Sequence, residues 1–151
     1  HYLYYCPMCQ KTQTLYGKDE HIHCKNCGIV ATFDENSTLT GSYPSLVEWG
    51  NEQQKIIPMR IKEKILTSGE LYEVDNLKQK KYKLGIHDVI LENQTIIIHT
   101  QPKRTFDIQS IKGEVITRKH NFSFDYEDKT YNFLLKDPML ILNTITYIKE
   151  N

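Results

Sequence analysis

From Ile61 onward the chain alternates apolar and polar residues in short runs separated by turn-forming clusters. Successive side chains of a strand point to opposite faces, so this alternation predicts strands buried on one side. The runs are Ile61 to Val74, with a break expected at Ser68-Gly69, then Tyr82 to Leu91, Thr95 to Thr100 and Thr105 to Ile108. Glu114 to Arg118, Asn121 to Tyr126 and Thr130 to Leu135 complete the series. Asp75 to Gln79, Asn93-Gln94, Pro102-Lys103 and Glu127-Asp128-Lys129 supply the turns. The period then changes, with Ile141, Ile145 and Ile148 at helical spacing. Asp137 is placed to cap that helix, and Pro138 suits its first turn. About seven antiparallel strands closed by one amphipathic helix predict a pleckstrin-homology-like or GRAM-like barrel over residues 60–151, the helix plugging its open end. An unspecified α+β domain is the alternative.

The front of the chain follows another pattern. Tyr2 to Tyr5 reads as a short aromatic strand paired with Thr12 to Tyr16, and Gly17-Lys18-Asp19 as the turn after it. Glu20 to Cys24, Ile29 to Phe33 and Thr38 to Thr40 are the next strands, and Asp34 to Ser37 turns the last pair. Residues 1–41 form one unit on this reading. Ser45-Leu46-Val47-Glu48 matches a capping box that opens a linking helix over residues 42–59, which Pro58 stops. Trp49 on that helix is read as an anchor against a neighbouring sheet.

The sequence holds four cysteines, and all of them fall in two CxxC pairs. Cys6-Pro7-Met8-Cys9 is followed, after fourteen residues, by Cys24-Lys25-Asn26-Cys27-Gly28. In a CxxC turn the backbone N–H groups fold toward the sulfurs, so two such turns build a tetrahedral cage of thiolates. Zinc suits it, because it is borderline soft and carries no geometric preference from its d electrons. Cys6, Cys9, Cys24 and Cys27 are therefore the expected ligands of one structural Zn2+. A pair of disulfides is the alternative, favoured in oxidising compartments that nothing here indicates. His21 and His23 flank the second pair and are read as strand residues. With every position filled by sulfur, the ion has no place for a catalytic water.

Composition adds bounds. Hydrophobic residues make up 39% and charged residues 25%, as in a folded globular chain and not a disordered one. Nineteen basic residues balance nineteen acidic ones, so no general attraction to nucleic acid is expected. Residues 1–41 carry three lysines against four acids, whereas residues 60–119 carry twelve basic against eight acidic. The surplus includes Lys78, Lys80, Lys81 and Lys83, which crowd one predicted turn and are candidate contacts for anionic lipid, the alternative being a solvated loop kept soluble by its charge. No apolar run approaches the roughly 20 residues of a membrane-spanning helix, and no signal-peptide pattern is present. Starting at His1, the sequence reads as a piece of a longer protein.

The order CPxC, fourteen residues, CxxCG and a Trp-containing helix is followed by Leu71-Tyr72-Glu73-Val74-Asp75 and a lysine-rich turn into Lys83-Leu84-Gly85. Phe106-Asp107-Ile108, Ile111-Lys112-Gly113 and Asn121-Phe122-Ser123-Phe124 extend the pattern. Together these resemble the C-terminal region of Firmicutes 1-acyl-sn-glycerol-3-phosphate acyltransferase-like proteins, specifically at the cysteines and more loosely in the barrel. The resemblance implies a cytoplasmic accessory region that follows a catalytic domain and can be held at a membrane through it. It also implies a parent that acylates lysophosphatidate in phospholipid synthesis. The family's catalytic histidine and aspartate are separated by four residues, as are His120 and Asp125 here. Positions five apart on a strand face opposite ways, so no catalytic role is assigned to this pair. The alternatives are a nucleic-acid-binding ribbon, against which the slightly acidic front unit argues, and a scaffold that docks on another protein.

Overall fold

The computed structural model describes residues 2–151. The chain divides into two compact units, His1–Ile57 and Pro58–Asn151.

The first unit is a four-stranded antiparallel sheet in sequential order, formed by β1 (Leu15–Lys18), β2 (His21–Cys24), β3 (Gly28–Phe33) and β4 (Leu39–Gly41). A nine-residue helix, α1 (Leu46–Gln54), follows. The capping box forms in part: the Ser45 hydroxyl accepts the Glu48 amide at 3.1 Å. Three expectations are corrected here. The turn after β1 is Asp19-Glu20, because Lys18 stays paired with His21 and Asp19 takes the positive φ of 54°. The expected strand at Tyr2 to Tyr5 reduces to a single bridge between Tyr5 and Thr12. Pro58 does not stop α1, which has already ended at Gln54; it lies inside a separate one-turn helix, α2 (Ile57–Arg60). Proline in a first turn lacks only a donor that would have no partner there. The linking helix also belongs to the first unit, where Trp49 is fully buried among Leu3, Leu15, Ile22, Val30 and Leu39.

The second unit has the fold class read from the sequence: mainly β, with a seven-stranded antiparallel sheet and a C-terminal helix in the order of a pleckstrin-homology-like or GRAM-like barrel. Its strands are β5 (Ile65–Asp75), β6 (Lys80–Glu92), β7 (Thr95–Ile98), β8 (Arg104–Asp107), β9 (Lys112–Thr117), β10 (Asn121–Tyr126) and β11 (Lys129–Leu135). They lie in the order β8-β7-β6-β5-β11-β10-β9. Sequence-adjacent β8 and β9 thus occupy opposite edges of the sheet. Laid flat, seven strands at about 4.8 Å spacing would separate those edges by about 29 Å. The five steps from Asp107 to Lys112 reach at most about 18 Å, so the sheet must curl into a half-barrel. Helix α3 (Pro138–Glu150) packs against β9, β10 and the short turn Ile108–Ser110.

The core explains the alternation. Leu71, Val89, Ile96, Ile98, Phe106, Phe122, Phe124, Tyr131 and Phe133 point inward and meet Ile141, Ile145 and Ile148 of α3. Each such side chain contributes about 1.5–3 kcal/mol by leaving water. The expected break at Ser68-Gly69 does not occur; β5 runs through both residues. Gly69 is there because a Cβ would lie 2.4 Å from the Leu134 carbonyl oxygen of the neighbouring strand. Among the described residues, no helix is long and apolar enough to cross a membrane.

Candidate metal centre

The four expected ligands come together. The Sγ atoms of Cys6, Cys9, Cys24 and Cys27 all lie within 4.8 Å of one another, with Cys6 and Cys24 buried and Cys9 and Cys27 half-buried. Cys9 and Cys24 are 3.7 Å apart, and Cys6 and Cys27 are 4.0 Å apart. A disulfide needs about 2.05 Å between sulfurs, so these are four free thiols. A tetrahedron with metal–sulfur bonds of about 2.3 Å has edges of about 3.8 Å, so the spacing fits one tetrahedral ion. The donor set is all sulfur, which selects a soft or borderline cation.

Each knuckle is a turn whose backbone faces its sulfurs. In the first, the Gln10 amide donates to the Cys6 carbonyl at 2.8 Å and the Cys6 amide donates to the Lys11 carbonyl at 3.0 Å. In the second, the Asn26 amide donates to Cys24 Sγ at 3.4 Å, and Asn26 Nδ2 reaches Cys9 Sγ at 3.8 Å. Gly28 closes this turn with φ at 81°, a conformation that costs L-residues with a Cβ. Thr14 Oγ1 lies 3.3 Å from Cys24 Sγ, where its hydroxyl donates to a thiolate.

Four thiolates this close repel one another, and the protons distribute unevenly. Burial alone would raise Cys24, but hydrogen bonds from Thr14 and from the Asn26 and Cys27 amides outweigh it and bring the thiol down to about 6. Burial and the neighbouring sulfurs push Cys27 up to about 12. A divalent cation at the centre removes that conflict, because it stabilises all four ligands as thiolates. His21 and His23 stay out of the cage, as expected of strand residues. His21 Nδ1 lies 2.9 Å from Thr32 Oγ1, and the His23 ring stacks on Tyr16 with centroids 5.1 Å apart.

The lysines of the second unit do not form one cluster. Lys78 lies in the β5–β6 turn, whose Leu77 and Lys78 amides donate to Asp75 Oδ1 at 3.1 and 3.0 Å. Lys81 and Lys83 project from one face of β6, opposite Val74 and Tyr72. There Lys83 Nζ pairs with Glu70 Oε1 at 2.6 Å, and Lys81 Nζ sits 4.4 Å from the centre of the Tyr72 ring. Lys80 alternates to the other face, opposite Asp75. His120 precedes β10 and Asp125 sits near its far end, where it accepts from the Thr130 hydroxyl at 2.6 Å.

Sequence reasoning missed a charged group at the same end of the half-barrel. Glu73 is buried on β5, with Lys129 Nζ 3.3 Å from one carboxylate oxygen and Arg104 Nε 3.5 Å from the other. Burial, reinforced by the Glu73 charge, raises the Tyr131 phenol beside it to about 12. Glu73 stands at an apolar position of an alternating run, and that misplaced acid was the available signal. No protein-family model matches the chain and no curated protein matches it with significance, so the acyltransferase-like assignment has no support beyond the residues that suggested it.

Proposed function

We propose that this chain is a non-catalytic accessory region: a ribbon folded by one structural zinc ion, followed by a half-barrel that docks on an anionic lipid surface. The parent would be a lysophosphatidate acyltransferase-like protein of phospholipid synthesis, on the resemblance alone. The observation that carries the reading is that the four sulfurs of Cys6, Cys9, Cys24 and Cys27 lie within 4.8 Å of one another, enough donors to fill every position of one tetrahedral ion. Zinc in such a site holds structure and offers no place to a reacting molecule. Docking has the weaker support of Lys78, Lys80, Arg104 and Lys129 at one end of the half-barrel, offset there by Glu73 and Asp75.

Elemental analysis of reduced protein is expected to find one zinc per chain; none would overturn the metal half. Pelleting with phosphatidylglycerol vesicles tests the docking half. Replacing Lys78, Lys80, Lys81 and Lys83 together by Gln should weaken it, since each lysine near such a surface is worth about 1 kcal/mol. Equal binding by that variant would overturn docking through the lysine turn. Acyl transfer from a thioester to lysophosphatidate by the 151-residue chain would contradict the non-catalytic assignment.

A further inference from the structure

We infer that helix α1 positions the first knuckle of the metal site, acting through Gln53 and Trp49. The inference rests on the reading that the cage holds zinc, and it concerns what sets the affinity. The two knuckles are supported by different means. Cys24 lies in β2 and Gly28 opens β3, and the two residues are paired in register, so the sheet itself holds the second knuckle. Residues 2–5, which lead into Cys6, belong to no strand; the Tyr5–Thr12 bridge ties them to the far side of the knuckle, with the Gln13 amide donating to the Tyr4 carbonyl at 2.9 Å.

The buried Tyr4 amide must find a partner, and here a helix side chain provides it while also reaching Tyr2. The Tyr4 amide donates to Gln53 Oε1 at 2.9 Å, and Gln53 Nε2 donates to the Tyr2 carbonyl at 2.8 Å. One side-chain amide therefore pairs with two residues of the segment, as the peptide group of a neighbouring strand would. The Trp49 indole N–H donates to the Tyr5 carbonyl at 2.9 Å, one residue before the ligand. The Tyr4 hydroxyl returns a longer bond to the Gln53 carbonyl at 3.4 Å.

Burial makes these bonds consequential. Gln53 is 1% exposed, and Tyr4 and Trp49 are fully buried. A buried primary amide is costly unless both its donor and its acceptor are used, and in this arrangement both are. Removing the amide takes the Gln53 bonds away from the Tyr2 carbonyl and the Tyr4 amide, in the segment that fixes where Cys6 starts. All four ligands remain, but one pair of them loses its backing. Groups that orient metal ligands from behind typically change affinity by about 10–100-fold.

The test uses the full chain loaded with zinc, in three variants. Gln53→Ala removes both bonds, and Gln53→Glu keeps an acceptor for the Tyr4 amide but loses the donor to Tyr2. Val30→Ala trims a buried residue of β3 and serves as a control for general loss of stability. Zinc affinity is read by competition with a chromophoric chelator, and knuckle exposure by timed N-ethylmaleimide alkylation with mass mapping of each cysteine. The expected order of affinity is wild type, then Gln53→Glu, then Gln53→Ala, with the last about 10–100-fold weaker than wild type. In the Gln53 variants Cys6 and Cys9 should be alkylated ahead of Cys24 and Cys27, whereas Val30→Ala should speed all four alike. Unchanged affinity, or alkylation without bias toward the first knuckle, overturns the inference. If Gln53→Ala does not fold, the bias in Gln53→Glu decides. A wild-type chain that takes up no zinc would instead remove the reading beneath it.

Discussion

The main buried cluster of the first unit holds nine side chains among the described residues, and two of them, Cys6 and Cys24, belong to the candidate metal cage. The core of the second has sixteen, five of which are the aromatic rings of Phe106, Phe122, Phe124, Tyr131 and Phe133. Ring centroids in that cluster lie 4.8–6.1 Å apart, within the range where aromatic pairs add to simple burial. The comparison separates two solutions to one problem. A unit of under sixty residues is marginal on apolar burial alone, and a metal cross-link through its cysteines would supply what the small core lacks. A unit of over ninety, closed by a helix, can do so with side chains alone.

The sharpest way to break this contrast is to take the metal away. Structural zinc in small domains contributes about 10–16 kcal/mol near neutral pH, more than such a unit could otherwise supply. A chelator, or Cys6→Ser, should therefore unfold the first unit and leave the second folded. Amide hydrogen exchange should show protection lost in β1 to β4 and retained in β5 to β11. A single transition that takes both units together would mean their stabilities are not separable. The converse perturbation is Phe124→Ala. This side chain is fully buried and touches Phe106, Phe122, Tyr131 and Phe133, so its loss should cost about 3–5 kcal/mol. The cost should appear in the second unit's urea transition, with zinc content unchanged.

How much of this was legible in the sequence follows the same division. The cage could be read because CxxC spacing is a local code that needs no knowledge of the fold. The strand at Asn121 to Tyr126 was legible to the residue, since strict alternation there reflects one wet and one buried face. The role of Gln53 was not legible: its partners are 49 and 51 residues away, and nothing nearby marks a glutamine that stands in for a strand. Gly69 misled in another way. Glycine usually signals a break, but here it marks close approach of a neighbouring backbone. The lysines were legible as a charge run but not as neighbours, because alternation sends Lys80 to one face and Lys81 and Lys83 to the other.

A smaller perturbation of the same kind can be placed in each unit. Gly28 and Gly85 both have positive φ, 81° and 92°, and a methyl group added at either would meet no atom closer than 3.7 Å. Alanine at either site is opposed by the backbone alone, at about 1–2 kcal/mol. Gly28→Ala should weaken zinc retention without moving the second unit's urea midpoint. Gly85→Ala, at the irregularity where β6 slips against Leu71 and Tyr72 of β5, should do the reverse. A cost that appears in the other unit's transition would show that the two are coupled.

The smallest effect expected is a pH dependence confined to the second unit. Hydrogen bonds from Lys83 and Tyr72 hold the Glu70 carboxyl below its ordinary value of 4.5, and the same pair holds Lys83 above 10.5. A carboxylate with a depressed folded-state value adds stability above its ordinary value and loses it as pH falls through the depressed one. An ammonium with a raised value adds stability below its ordinary value and loses it as pH rises through the raised one. The pair's contribution is thus whole between about 4.5 and 10.5 and fades outside that window at both ends. Lys83→Gln should lower the urea midpoint slightly within the window and flatten both shoulders, while the first unit's zinc content at neutral pH stays the same. Salt should shrink the difference, because Lys83 is exposed and Glu70 only half-buried. A difference that persists in 1 M salt would mean Lys83 acts through the packing of its stem over β5 and not through charge.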